Sequence, residues 1–219
     1  MSIQSIINVC ETLTIDRRRV VGVQYTRSEV AKVSSTPTRN PWKFTLNVTA
    51  GLQYSQNRGL LEEIDRLDRS VTETVSFSGV TGHSFLFAYQ GVMNAIAVGN
   101  IRITSFVGNS LILNTLPALP TGSVLFRKGD LLQIVGYPHP FTVTADVLRG
   151  TGETVTVTTH RPNFITASVA NLAIVVGNAC QFKVFCPNMP TYTLVPGGTD
   201  AIIEWTSEFG LYEFTGDVA

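Results

Sequence analysis

Alternation of apolar and polar residues restricts this chain more than any other feature. From Trp42 to Val48 it reads Trp-Lys-Phe-Thr-Leu-Asn-Val, apolar at every second position. Successive strand side chains point to opposite faces, so this period makes a ribbon with one dry face and does not make an amphipathic helix. Pro37, Asn40 and Pro41 precede it as turn residues. Val71–Phe77 repeats the alternation, and shorter apolar runs follow at Ser84–Tyr89, Ala95–Thr104, Leu111–Leu113 and Leu131–Val135. Phe141–Leu148 and Thr154–His160 flank a glycine-containing loop and read as a hairpin, and Leu172–Val176 and Ala179–Phe185 around Gly177 and Asn178 read as a second. Tyr192–Val195 and Ile202–Tyr212 close the strand set.

One segment reads as a helix. Gly59–Arg69 gathers Leu60, Leu61, Ile64 and Leu67 on one face, with Asn57 placed to cap it. Glu62 with Arg66, and Asp65 with Arg69, stand as acid-before-base pairs four residues apart. The reading is therefore all-β with one short helix, in a single domain. Residues 41–219 form the β domain and residues 1–40 an N-terminal arm belonging to it. No repeat or linker divides the chain.

Charged residues make up only 15% of the sequence, below the usual quarter, and threonine takes their place most visibly at 151–159. A surface short of charge suits a subunit packed among neighbours, although Thr-rich strands in an ordinary β protein look the same. Net charge is zero, which does not imply a strong polyanion binder, but the charge is unevenly spread. Residues 1–69 hold ten of the sixteen Lys and Arg against seven acids, and no base follows Lys183 while five acids do. A basic beginning and an acidic end suit head-to-tail association. Cys10, Cys180 and Cys186 cannot all pair, and their spacing fits no common zinc pattern, so free thiols in a reducing compartment are expected. The N-terminus does not read as a signal peptide and no apolar run is long enough for a membrane-spanning helix.

No catalytic motif emerges, and neither a cofactor nor a metal is expected. Gly150 and Gly152 fit a turn better than a phosphate cradle. His83, His139 and His160 stand in separate segments; His160 could serve as ligand or base, but a hydrogen-bonding histidine is the simpler reading. Glu62, Glu63 and Asp65 read as solvated helix charges. The triplet Arg17, Arg18 and Arg19, with Arg27, Lys32, Arg39 and Lys43 beyond it, lacks the interleaved aromatics of a single-strand binder and reads better as a subunit interface.

Specific strings go further than periodicity. Arg19–Val30, then Thr36–Thr45, then Leu60–Arg69, Tyr89–Gly91, Gly129–Gln133, Asp146–Gly150, His160–Pro162, Met189–Tyr192, Val195–Gly198 and Glu204-Trp205 occur in one order across residues 17–214. In that order they resemble the baseplate tail-tube (tube initiator) proteins of contractile-tailed bacteriophages. The resemblance implies an antiparallel β-barrel or sandwich of the tail-tube type, with six copies in a ring through which DNA passes without specific binding. It implies a virion protein, not an enzyme, assembled in the host bacterial cytoplasm, with the baseplate hub and the tail tube as neighbours. Interface candidates are Arg17, Arg18, Arg19, Arg27, Arg66, Asp68, Arg69, Glu208, Glu213 and Asp217. The alternatives are another tail protein of the same fold group, such as a major tube or distal tail protein, and a β-sandwich module for host recognition.

Overall fold

The computed structural model describes residues 3–17, 21–25, 31–35, 40–66, 71–78, 83 and 85–216, with the backbone alone at 21–25 and 31–35. Strands account for 40% of the molecule and helices for 15%, so the chain is mostly β. In chain order the elements begin with α1 (Ile3–Asn8), β1 (Cys10–Asp16), β2 (Val21–Tyr25), β3 (Ala31–Ser35), β4 (Lys43–Val48), β5 (Leu52–Gln53), α2 (Tyr54–Asp65) and β6 (Glu73–Ser76). There follow α3 (Ala95–Asn100), β7 (Arg102–Val107), β8 (Ser110–Asn114), β9 (Val124–Phe126), β10 (Leu131–Ile134), β11 (Phe141–Thr142) and β12 (Val147–Leu148). The last are β13 (Val155–Thr158), β14 (Ile174–Val176), β15 (Gln181–Phe185), β16 (Tyr192–Gly197), β17 (Asp200–Trp205) and β18 (Phe209–Glu213).

All strand pairs are antiparallel. The largest sheet runs β1-β4-β18-β15-β6; smaller ones run β11-β10-β14, β13-β8-β7, β16-β17-β5, β12-β9 and β2-β3. Two cores result. The first lies under the five-stranded sheet, where Trp42, Phe44, Phe77 and Phe182 pack with Ile3, Ile6 and Ile7 of α1. The second is enclosed by the middle sheets around Ile103, Leu113, Phe126, Phe141 and Val157. Alternation produces the first directly, since Phe44 and Leu46 of β4 are buried while Lys43 and Asn47 are exposed.

Residues 3–16 are thus woven into the main core and its edge strand. Gln4 fastens this end: its Nε2 donates to Ser76 O at 2.9 Å and its Oε1 accepts from Ser76 N at 2.9 Å. The Gln4 amide therefore occupies the hydrogen-bonding positions that a further strand beside β6 would need at Ser76.

Several local expectations are corrected. Helix α2 begins at Tyr54, five residues before Gly59, and ends at Asp65. Gln53 takes the cap position without a side-chain bond, and Asn57 lies inside the helix with its Nδ2 on Gln53 O. Asp200 of β17 supplies what a local cap does not, accepting from Ser55 N and, at 2.6 Å, from Ser55 Oγ. Leu61 and Ile64 face the core, while Leu67 and the Asp65/Arg69 pairing reach outside the described residues. Ala95–Asn100 is a helix, not a strand; Asn94 Oδ1 caps it by accepting from Ala97 N at 2.8 Å. Phe85–Tyr89 forms turns, closed by bonds such as Ala88 N to Phe85 O.

Neither central hairpin forms as read. β11 pairs with β10, β12 with β9 and β13 with β8; the flanks of the 149–153 loop share an isolated bridge at Val143 and Thr159 and form no ladder with each other. β14 pairs with β10, whereas β15 pairs with β6 and β18. Residues 177–180 carry the chain from one core to the other, and Gly177 makes that turn with φ +65°, where an added Cβ would meet Phe87 O and Tyr89 N at 2.8 Å. β16 and β17 form a hairpin, with Tyr192 opposite Trp205 and Gly197 opposite Asp200.

Candidate functional site

The strongest side-chain constellation is buried between the two cores. Glu213 ends β18 in phase with Phe209 and Leu211, and all three are buried. Arg161 follows β13 and is fully buried. They meet as a fork, Arg161 Nη1 to Glu213 Oε2 at 2.6 Å and Nη2 to Oε1 at 2.7 Å, a geometry that only a planar guanidinium offers. Arg161 Nη2 also donates to Pro140 O at 2.9 Å, and Trp42 Nε1 reaches the same carbonyl at 3.2 Å. Trp42 N donates to Glu213 Oε2 at 3.0 Å, and His139 Nδ1 lies 3.1 Å from Oε1. A carboxylate only accepts, so His139 carries its proton on Nδ1. The guanidinium is held over the Phe141 and Phe164 rings, 5.1 and 4.8 Å from their centroids.

Burial alone would raise the Glu213 pKa. The adjacent Arg161 charge, with donors from His139, Arg161 and the Trp42 amide, outweighs it and leaves the carboxyl below its ordinary value. Both Glu213 oxygens and both terminal nitrogens of Arg161 have internal partners, so the chemistry of the cluster is that of a clamp. It joins β18 of the first core to the 139–141 and 161 segments of the second.

His160 stands beside the clamp. Its Nδ1 accepts from Thr142 N at 2.9 Å, which places its proton on Nε2. Burial, helped by the Arg161 and Arg17 charges, pulls its pKa down to about 3. Its Nδ1 lone pair is thus committed to the backbone, while Nε2 is buried. Its ring lies 5.8 Å from that of Trp42.

The interface candidates are dispersed. Glu213 is corrected outright: at 3% exposure and locked to Arg161, it is an internal ion and not a rim charge. Its phase with Phe209 and Leu211 carried that signal in the sequence. Arg17 is exposed, yet it spends its side chain on its own molecule, lying over the Trp42 ring at 5.3 Å and donating to Thr142 Oγ1. Arg66 stands exposed at the C-cap of α2, and Glu208 is exposed with Oε1 accepting from Asn47 Nδ2 at 3.1 Å. Arg18, Arg19, Arg27, Asp68, Arg69 and Asp217 lie outside the described residues.

Sheet edges are surface features that could engage a partner. Several internal edges are closed by neighbouring backbone: Thr144 N bonds Thr158 O beside β13, and Asn171 and Leu172 bond Ile103 on β7. Among the described residues β1 and β16 stand at the outer positions of their sheets, and β2-β3 is a two-stranded ladder by itself. Exposed apolar residues Leu194, Val195 and Ile202 cluster on the β16–β17 hairpin. The three cysteines are buried and form no disulfide, and burial raises the thiol pKa at Cys10 and Cys180. No group of His, Cys, Asp and Glu able to hold a metal occurs among the described residues, and no helix there is long and apolar enough to cross a membrane. No family model and no curated protein matches the chain.

Proposed function

We propose that this chain is a structural subunit of a bacteriophage tail, a baseplate tail-tube protein whose copies form a six-membered ring between the baseplate hub and the tail tube. The observation that carries the reading is the set of sheet edges left outermost among the described residues. A chain of small antiparallel sheets with outer strands β1 and β16 and a self-paired hairpin is built to continue its hydrogen bonding in other chains. The ordered strings over residues 17–214 and the low charged fraction point the same way. Its buried ion pair is turned inward as a clamp, which fits a part that must resist force.

Electron microscopy of the purified chain tests the proposal. Six-fold rings with an open centre are expected, and a monomer at every concentration would overturn it. Counting copies per virion separates the neighbouring assignments: a tube initiator is present as one or a few rings, a major tube protein as a long stack.

A further inference from the structure

We propose that the outer edge of β16 is a docking strand for a second copy of this chain, and that the incoming element is the partner copy's β2–β3 hairpin. The inference rests on the ring reading, because a joint between two unlike surfaces is what lets identical copies close into a ring.

The edge can be read atom by atom. Thr206 N donates to Thr191 O at 2.9 Å, one rung beyond the Tyr192–Trp205 pair. Antiparallel rungs alternate between hydrogen-bonded and open pairs. Thr193 opposite Glu204 and Val195 opposite Ile202 are therefore the bonded rungs, and Tyr192, Leu194 and Pro196 turn their backbone outward. Pro196 has no N–H to lose there, which fits its place in the strand. The N–H and C=O of Tyr192 and Leu194 remain as outward groups, with the Pro196 carbonyl at the end. From Thr193 to Gly197 every residue is exposed, and Leu194 and Val195, on opposite faces, are 41% and 36% exposed. A strand with apolar side chains uncovered on both faces, beside outward backbone groups, is a template for another strand.

The hairpin has the complementary need. β2 pairs with β3 from Val21 opposite Ser35 to Tyr25 opposite Ala31, and among the described residues no third strand joins them. A two-stranded ribbon is marginal in water unless a further strand or a packed face supports it. Charge selects β16 as that support. Residues 17–39 carry six Lys and Arg against the single acid Glu29, whereas β16–β17 carries Asp200 and Glu204 and no base follows Lys183. Other edges fit less well: Gln4 plugs β6, and β1 packs Leu13 and Ile15 against its own core and exposes no large apolar side chain. Joining the two would give a five-stranded sheet across the copy boundary and bring a basic stretch of sequence to an acidic one.

Two variants and their mixture test this. Leu194→Pro removes an outward N–H and sets a ring against an approaching strand while sparing every β16–β17 bond. The second variant replaces residues 20–36 by a short Gly-Ser linker. Both should keep the wild-type circular dichroism of the remaining fold. Each alone should sediment as a monomer where wild type forms rings, with the concentration for assembly raised at least about tenfold. Leu194→Ala, which keeps the N–H, should still assemble. Mixed in equal amounts, the variants should make dimers and stop, since one keeps the edge and the other keeps the hairpin. Rings from either variant alone would overturn the joint and leave the ring reading standing. Folded variants that stay monomeric when mixed would also overturn it. Dimers from the mixture, with open chains instead of rings from wild type, would keep the joint and overturn the ring. Wild type monomeric throughout would remove both.

Discussion

At the scale of single residues, the Arg161–Glu213 fork sets the terms. Two ions out of water are tolerated because each satisfies the other and the remaining lone pairs have donors. Glu213→Gln leaves the guanidinium buried without its counter-charge and should cost about 3–5 kcal/mol in urea unfolding. Replacing both partners by apolar residues of similar size should cost much less, which a double-mutant cycle would show. His160 makes a separate prediction about pH. Its folded pKa of about 3 lies below the ordinary value of about 6.5, so the unfolded chain takes up the proton first as pH falls. Stability from this residue is intact above about pH 6.5 and is lost on descending toward about pH 3, by a few kcal/mol in order of magnitude. Glu213, also lowered on folding, loses its contribution below the ordinary carboxylate range, in the same direction. A His160→Gln protein should show a flatter stability profile between about pH 6 and pH 4, while Glu213 still governs the lower end.

Among the elements, helix α2 is held by what it packs on. Leu61 at 1% exposure and Ile64 at 5% anchor it, and truncating either to Ala should cost about 2–5 kcal/mol by equilibrium unfolding. Gly177→Ala should destabilise more than a surface substitution does, because both its φ and the backbone atoms beside it forbid a Cβ. The sequence made strand β4 legible because one face is dry and the other wet, and it made the Leu61 and Ile64 face of α2 legible for the same reason. It did not show where α2 starts, because its cap comes from Asp200, far along the chain. α3 stayed hidden because Ala-Ile-Ala-Val-Gly-Asn has no polar period to betray a helix, although Asn94 stood ready as its cap. The central hairpins misled because adjacency in sequence favours pairing, while β14 and β15 each find longer-range partners in different cores. Of the clamp, Glu213 was readable from its phase, but its meeting with Arg161, 52 residues away, was not.

For the molecule as a whole, two cores share one chain and are fastened by the clamp and by the Gly177 crossing. Scanning calorimetry of the native protein should give one transition, and an Arg161→Met, Glu213→Leu protein should separate into two if the clamp couples the cores. The buried thiols give an independent measure of opening: Cys10, Cys180 and Cys186 should react with a thiol reagent only as the fold opens, and then all three together. The plug formed by Gln4 bears on keeping the protein in solution. Its amide screens one side of the largest sheet, so Gln4→Ala should uncover Ser76 N–H and C=O at that border. Turbidity on storage should then rise well before the melting temperature moves, because a single side chain separates a sheet that ends from one that recruits other molecules without limit.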